Sequence, residues 1–160
     1  MDVRIGQGVD FHRLEDGLNL WIGGILIPSK KGAVAHSDGD TLIHAICDAI
    51  LGAAGLRDIG YHFPDTDERF RDIDSKELLK KSLELVRLGG YTVSNIDSTV
   101  CLEKPKISPH IESIRESLSE VTGLEPNRIG IKATTTEKMG FTGREEGIVA
   151  FASVLLISLE

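Results

Sequence analysis

The sequence has 160 residues, of which 41% are hydrophobic and 27% charged, a composition typical of an ordinary globular domain. Its formal net charge of −7 and pI of about 5.2 argue against a nucleic-acid-binding surface. The sequence has no run of about 18 apolar residues, so we expect no membrane span, and its first residues lack a signal-peptide pattern. We therefore expect a cytoplasmic protein with a single domain over residues 1–160.

The first predicted element is a strand over Val3–Asp10, where side chains alternate between two sides. Gly6 and Gly8 lie on one side of it, which suggests that another part of the backbone or a ligand approaches closely there. If the extended chain continues, Asp10 and His12 share that same side, because side-chain direction repeats every two residues.

A hairpin is predicted over Leu18–Ile27, with Gly23 and Gly24 in the turn, followed by a loop from Pro28 to Gly32. The next element is a helix, because apolar residues recur at helical spacing from Leu42 to Ile50 and glycines follow at 52 and 55.

The start of this helix carries polar groups. Asp38 or Asp40 is expected to cap it, because a short carboxylate accepts the free N–H groups of a first turn. His44 then lies in the first or second turn, with His36 and Ser37 on the preceding loop. The structural alternative is a polar cap in front of a core helix.

The remaining pattern mixes helices and strands. Residues 57–74 are predicted to form a functional or mobile loop, and Asp74 with Glu77 resembles a capping box for a helix that ends at Gly89–Gly90. Further predictions are a strand over Tyr91–Leu102, a helix from Ser108-Pro109 to Gly123, and strands over Arg128–Thr134 and Ile148–Leu159. Strict βαβ alternation is absent, so we predict an α+β fold in which a mixed sheet is layered with helices on one side.

The final strand is apolar on both faces, which suggests that another subunit covers part of the sheet.

The residue types suggest a metal centre. Asp10, His12 and His44 offer one oxygen and two nitrogens, which is a ligand set that zinc accepts with one position left open. Non-haem iron oxygenases use the same two-histidine, one-carboxylate set, so residue types alone leave both readings open.

A second polar group follows the predicted strand that ends at Thr134. Threonine hydroxyls donate to phosphate oxygens, and Glu137 offers a carboxylate for magnesium. The alternative is a Thr-x-x-Glu cap on a helical turn. Lys106 has two readings as well, as a phosphate contact or as a solvated loop lysine.

Taken together, these segments resemble the 2-C-methyl-D-erythritol 2,4-cyclodiphosphate synthase family of non-mevalonate isoprenoid biosynthesis. The resemblance is carried, in order along nearly the whole chain, by Gly6–His12, Ala35–Asp40 with His44, Leu51–Gly60, Phe63–Asp67 and Lys132–Arg144. It implies conversion of 4-diphosphocytidyl-2-C-methyl-D-erythritol 2-phosphate to the 2,4-cyclodiphosphate with release of CMP, catalysed by a phosphorus–oxygen lyase. It also implies a homotrimer, with sheets facing the trimer interior and active sites between subunits.

The resemblance also assigns roles to residues. It implies a divalent metal, usually zinc, on Asp10, His12 and His44, and Mg²⁺ or Mn²⁺ held by Glu137 and the substrate diphosphate. His36 and Thr135 match positions that stabilise the transition state. The expected substrate-binding residues are Ser37, Asp58, Ile59, Gly60, Phe63, Pro64, Asp65, Thr66, Asp67, Leu102, Lys106, Ala133, Thr134, Thr136, Phe141 and Arg144.

Two other classes of protein stay open at this point. A non-haem iron oxygenase would use the same three ligands and would consume oxygen. A non-catalytic trimer would bind nucleotides or isoprenoid diphosphates without releasing CMP.

Overall fold

The structure, a computed structural model, describes residues 1–159. Its strands are β1 (Val3–Asp16), β2 (Leu20–Ile22), β3 (Ile25–Ile27), β4 (Lys31–Ala33), β5 (Tyr91–Cys101), β6 (Ile129–Thr134) and β7 (Gly147–Ser158). Its α-helices are α1 (Thr41–Ala53), α2 (Ile59–His62), α3 (Ser75–Leu88), α4 (Ile111–Thr122) and α5 (Gly140–Gly143). Short 3₁₀ turns cover Glu68–Phe70, Ser108–His110 and Pro126–Arg128.

A five-stranded mixed sheet with the order β4-β1-β7-β5-β6 forms the centre of the fold. Its neighbouring strands are antiparallel except β5 and β6, which are parallel. Helix α1 packs on β1 and β7, α3 packs on α1 and β5, and α4 packs on α3 and β6. The helices therefore cover one face of the sheet, which confirms the predicted α+β layering.

The close contact between α1 and β1 depends on the two glycines of the strand. A Cβ atom on Gly6 would lie 1.9 Å from the carbonyl oxygen of Ala49, and one on Gly8 would lie 2.0 Å from that of Ala45. Any side chain there would push the helix away from the strand. The predicted close approach is confirmed, and the partner is the backbone of α1.

Asp40 fixes the start of α1 and is itself fully buried. Its carboxylate accepts the N–H of Ile43 at 3.0 Å, and also those of Gly23 at 2.9 Å and Gly24 at 2.6 Å. The two glycines have φ of +61° and +79°, as the turn of a two-residue hairpin requires. Of the two cap candidates Asp40 is the cap, and it ties the helix to the hairpin.

Most predicted boundaries are confirmed. Helix α3 ends before Gly89, and α4 ends at Gly123, whose φ of +72° is the left-handed conformation that glycine adopts most easily. Strands β5, β6 and β7 lie within two residues of their predicted ends.

Four predictions are wrong in part. Strand β1 runs to Asp16, six residues beyond its predicted end at Asp10, and the predicted loop over 57–74 contains helix α2 and a 3₁₀ turn. The loop from Pro28 to Gly32 contains the start of β4, a three-residue edge strand paired with the end of β1, and a strand this short shows no periodicity. The capping box is only half formed. Asp74 accepts the N–H of Lys76 at 2.9 Å, but the Glu77 carboxylate accepts instead from Lys80 at 2.7 Å.

The sheet face away from the helices is apolar and open in the single chain. Ile5 is 78% exposed and Phe11 56%, both on β1, while Phe151 of β7 is 42% exposed. None of the helices within residues 1–159 has the length and apolar character that a bilayer crossing requires.

Candidate metal centre and active site

Asp10, His12 and His44 meet where β1 passes the start of α1. The Oδ2 atom of Asp10 lies 2.8 Å from Nε2 of His12 and 3.2 Å from Nδ1 of His44. Those two nitrogens are 3.2 Å apart. The strand places Asp10 and His12 on one side, and the second turn of the helix supplies His44, so the predicted convergence of the three groups is confirmed.

Each imidazole is held from behind by an oxygen. The Nδ1 atom of His12 lies 3.1 Å from the carbonyl oxygen of Val34. The Nε2 atom of His44 lies 2.9 Å from the hydroxyl of Ser75 and 3.2 Å from that of Ser37. The ring nitrogen that remains on each histidine faces Asp10.

The charges in this cluster favour an ionised carboxylate. Burial of Asp10 opposes ionisation, but the adjacent imidazoles of His12 and His44 outweigh it and lower the pKa of Asp10 to about 2. Burial also opposes protonation of His12, yet the neighbouring carboxylate outweighs burial and raises the pKa of that imidazole. The site therefore holds a negatively charged carboxylate next to one ring nitrogen of each histidine.

These three groups fit a tetrahedral divalent cation. Two ligand atoms about 2.0–2.1 Å from zinc at the tetrahedral angle are about 3.3 Å apart. The separations of 2.8, 3.2 and 3.2 Å approach that value. Three protein ligands leave the fourth position of a tetrahedral ion to a substrate oxygen.

The three groups open into a cleft of about 320 Å³. Among the predicted site residues, it is lined by the three ligands together with His36, Ser37, Ile59, Gly60, Phe63 and Asp65. Sequence reasoning missed four further lining residues, which are Ala35, Phe70, Ile73 and Leu78. The cleft is therefore lined by both polar and apolar side chains.

The loop that lines the cleft at Ile59 and Gly60 is held by two carboxylates. Asp58 caps α2 by accepting the N–H of Tyr61 at 2.9 Å, and Asp48 of α1 accepts the N–H of Ile59 at 2.8 Å. Burial raises the pKa of Asp48. Both contacts fix the backbone beside Gly60.

The adjoining loop contains the remaining predicted residues of this wall. Asp67 caps the 3₁₀ turn at Glu68–Phe70 and pairs with Arg69, and these bonds lower its pKa to about 2. The rings of Phe63 and Phe70 pack edge to face with centroids 5.5 Å apart. Pro64, Thr66 and Asp67 lie in this loop but do not line the cleft, and neither does Asp58 before α2.

The second group of predicted residues lies at the ends of β5 and β6. Because these strands are parallel, Leu102 and Thr134 lie side by side, and the N–H of Leu102 donates to the carbonyl of Thr134 at 3.0 Å. Ala133 pairs with Val100 on the same ladder. The parallel pairing therefore brings these predicted substrate-binding residues together.

Beyond β6 the chain forms a tight turn. The Thr135 hydroxyl donates to the Glu137 carboxylate at 3.3 Å, and the Thr136 hydroxyl to the carbonyl of Met139 at 2.7 Å. Glu137 and Lys138 have φ of +53° and +64°. Met139, not Thr134, is the residue that precedes α5, so the alternative of a Thr-x-x-Glu helix cap is wrong.

The other predicted contacts line separate surfaces. Lys106 lines a groove of about 750 Å³ with Lys30, Lys31 and Lys104. Phe141 packs against Phe11 with ring centroids 6.2 Å apart, and Arg144 pairs with Glu146 at 2.9 Å. Within residues 1–159 of one chain, no residue after Leu78 lines the metal cleft.

Besides those four lining residues, three residues that support the site escaped the sequence analysis in whole or in part. Ser75 was not predicted, Asp38 was considered only as a helix cap, and Asp48 was given no role. Ser75 lies 31 residues after His44 and contacts its ring, and Asp38, six residues before His44, accepts a hydrogen bond from Ser75. No spacing rule links these residue types.

The comparisons with known proteins agree with this geometry. The model of the YgbB family matches residues 3–157. A 2-C-methyl-D-erythritol 2,4-cyclodiphosphate synthase of Bacteroides fragilis is 56% identical over 156 residues, which is 98% of this chain and 98% of the relative.

Two solved structures are similar as well. A 2C-methyl-D-erythritol-2,4-cyclodiphosphate synthase in a CDP-bound form has a TM-score of 0.90 and 43% identity, covering 96% of this chain and 100% of that one. The bifunctional IspDF of Campylobacter jejuni has a TM-score of 0.95 and 42% identity over 99% of this chain. This chain spans 43% of the length of that bifunctional protein.

Proposed function

The chain belongs to the YgbB family, and from that membership we propose that it forms 2-C-methyl-D-erythritol 2,4-cyclodiphosphate from 4-diphosphocytidyl-2-C-methyl-D-erythritol 2-phosphate. An oxygen of the 2-phosphate bonds to the β-phosphorus of the diphosphate. The bond from that phosphorus to the bridging oxygen breaks, and CMP leaves with the electron pair. No water or redox partner enters the balance of this isoprenoid-pathway step.

The chemistry asks little of a protein base, because the attacking phosphate is already an anion. The difficulty is charge, since two like charges about 4 Å apart repel by about 4 kcal/mol at an effective dielectric constant of 20. The protein must therefore hold two anionic groups in line against their repulsion. The arrangement of Asp10, His12 and His44 at the base of a cleft is the observation that carries this proposal.

Asp10, His12 and His44 would hold the first divalent ion, for which zinc matches the ligand set. When bound, such an ion polarises a phosphate oxygen and offsets its charge. The chain contributes the fixed orientation of both imidazoles and the apolar part of the cleft lining, which includes Phe63 and Phe70. Exclusion of water by these side chains strengthens every charge interaction inside the cleft.

The walls of the cleft would bind the methylerythritol part. The backbone over 58–60 is held rigidly by Asp48 and Asp58, and the loop over 63–67 lies beside it. His36 and Ser37 line the cleft next to the ligands. We assign His36 and Thr135 to stabilisation of the transition state.

The ends of β5 and β6 would bind the cytidine diphosphate end. Glu137 offers one exposed carboxylate, which is how Mg²⁺ or Mn²⁺ is typically held when substrate phosphates supply further ligands. Around it, the substrate contacts would come from Leu102, Lys106, Ala133, Thr134, Thr136, Phe141 and Arg144.

We propose that the active enzyme is a homotrimer whose sheets face its interior. The open sheet face supports this, because Ile5, Phe11 and Phe151 would otherwise leave large apolar side chains in water. An assembly also offers a way to bring the second group of residues to the metal cleft from a neighbouring subunit.

The assembly is tested by light scattering on two variants. Ile5→Glu should convert the trimer to a monomer, because its side chain is 78% exposed in the single chain. Leu88→Glu is the matched control, since Leu88 is 86% exposed at the end of α3 and away from the sheet face. A wild-type monomer with full turnover would contradict the trimer.

The reaction is tested by ³¹P NMR of the diphosphocytidyl substrate incubated with the protein, zinc and magnesium. The expected result is equal formation of CMP and of a cyclic diphosphate. Substrate binding without CMP release would leave a non-catalytic binder, and oxygen consumption with bound iron would support an oxygenase. Either of these two outcomes would contradict the proposed function.

A further inference from the structure

His44 is held at both ring nitrogens, and the partner behind it is a pair of side chains. Its Nε2 atom lies 2.9 Å from the hydroxyl of Ser75, a residue with no exposed surface. The same hydroxyl donates a short hydrogen bond to Oδ1 of Asp38. The backbone N–H of Ser75 donates to Oδ2 of Asp38 at 2.9 Å.

The direction of these bonds determines where the His44 proton lies. A carboxylate only accepts, and Asp38 also accepts the N–H of Asp40 at 3.1 Å, so the single hydroxyl proton of Ser75 points to Asp38. The Ser75 oxygen is then left to accept from His44. The competing acceptor at Nδ1 is Oδ2 of Asp10, which lies 3.2 Å from His44 but closer, at 2.8 Å, to Nε2 of His12. The Ser75 contact therefore favours the ring proton on Nε2, with the lone pair of Nδ1 facing Asp10 and His12.

The second serine near this nitrogen is a weaker partner. Ser37 is 3.2 Å from Nε2, and its oxygen already accepts the N–H of Gly39 at 3.2 Å. For His12 the corresponding partner is the backbone carbonyl of Val34, which no substitution removes. Within residues 1–159, the Ser75–Asp38 pair is therefore the strongest side-chain partner on the outer side of a metal-facing histidine.

We propose that Ser75 and Asp38 are positioning residues of the metal centre, which hold His44 in the tautomer that presents Nδ1 to a divalent cation. This inference depends on the proposed metal site at Asp10, His12 and His44. Helix α3 contributes none of the three ligands, but Ser75 is its first residue. The proposal therefore gives α3 a role in metal affinity. Outer partners of this kind typically account for a 10–100-fold difference in metal affinity.

The chain offers a matched control on the same helix. Ser82 also has no exposed surface, but its hydroxyl donates only to the carbonyl of Leu78 at 2.8 Å. Ser75→Ala and Ser82→Ala each remove one buried hydroxyl from α3. A purely structural role predicts the same result for both, whereas a positioning role predicts a difference in zinc affinity.

The experiment measures zinc dissociation constants by competition with a chromophoric chelator. Ser75→Ala should raise the dissociation constant about 10–100-fold, Ser82→Ala should leave it unchanged, and Ser75→Thr, which keeps a hydroxyl, should restore much of the loss. Excess zinc should recover the turnover lost in Ser75→Ala.

A second readout reports the tautomer directly. In zinc-free wild-type protein, ¹⁵N NMR of the imidazole should show His44 protonated at Nε2. Asp38→Asn should shift the population toward the other tautomer, because an amide group can donate to the Ser75 hydroxyl and turn its proton toward the ring.

The outcomes separate two failures. If wild-type protein binds no zinc, the proposed metal site itself is wrong. If wild-type protein binds zinc and Ser75→Ala binds it equally well, or Ser82→Ala loses as much affinity, the positioning role is overturned while the metal site stands. An unchanged His44 tautomer in Asp38→Asn would also overturn it.

Discussion

The metal cleft and the segment Thr134–Arg144 are built in opposite ways. In the cleft, His44 is only 6% exposed, and both of its ring nitrogens have partners from three other parts of the chain. In the second segment, Thr135 is half-buried and Glu137 is exposed, and the two bond chiefly to each other. The first region is thus organised by the folded chain, whereas the second holds its shape locally and leaves its polar groups accessible.

The backbone shows the same difference. Glu137 and Lys138 adopt φ of +53° and +64°, a conformation that costs a residue other than glycine about 1–2 kcal/mol. Residues kept at such a cost often serve a function that the conformation makes possible. Here the conformation presents Glu137 at the end of the sheet, where the proposed second ion would bind.

The largest expected effect tests the metal cleft. His44→Ala removes one of three ligands, so bound zinc should be lost and turnover should fall by about a thousandfold or more, which corresponds to about 4 kcal/mol of transition-state stabilisation. Metal analysis and CMP release measure this, and circular dichroism should show a retained fold. Full metal content together with normal turnover would contradict the role of the cleft.

A smaller effect is expected in the segment Thr134–Arg144. Thr135→Ala should lower kcat by about a hundredfold and change KM little, because a hydroxyl that binds developing charge acts mainly in the transition state. Thr92→Ala is the matched control, since Thr92 is an exposed threonine near the start of β5. An equal rise in KM with unchanged kcat would instead show that Thr135 serves ground-state binding.

The fold was predictable where periodicity or glycine dominates the local structure. The alternation in β1, the apolar repeat of α1 and the Gly23–Gly24 turn each appear as predicted. Strand β4 was not predictable, because three residues at a sheet edge are defined by their partner strand and not by their own pattern. The Glu77 side chain likewise took a partner, Lys80, that competes with the predicted one.

The site was predictable to the extent that residue types limit the chemistry. Asp10 and His12 share a strand face by simple alternation, and His44 was the natural third ligand at a helix start. Ser75 could not be found, because a serine after Asp74 has an ordinary role as the first residue of a helix. Its contact with His44 exists only once α3 packs on α1.

The smallest expected effect concerns the wall of the metal cleft at Ile59. Asp48→Ala leaves the N–H of Ile59 without its partner at 2.8 Å, and the cleft wall should loosen. Loss of a hydrogen bond of this kind costs about 1–3 kcal/mol, so KM should rise by about tenfold. Asp48→Asn keeps an acceptor oxygen in place, and its KM should stay within about threefold of wild type.

The charge of Asp48 and its acceptor role can be separated by pH. Burial raises the pKa of Asp48 above 3.8, so the folded state holds this proton more tightly than the unfolded chain does. Stability of the wild type should therefore fall as pH rises from 3.8 through the raised pKa, and Asp48→Asn should lack this loss. Urea unfolding at several pH values above 3.8 measures the difference. If Asp48→Asn instead loses stability relative to wild type as pH rises, the ionised carboxylate and not its geometry holds the cleft wall. The cleft would then depend on the charge of Asp48 as well as on that of Asp10.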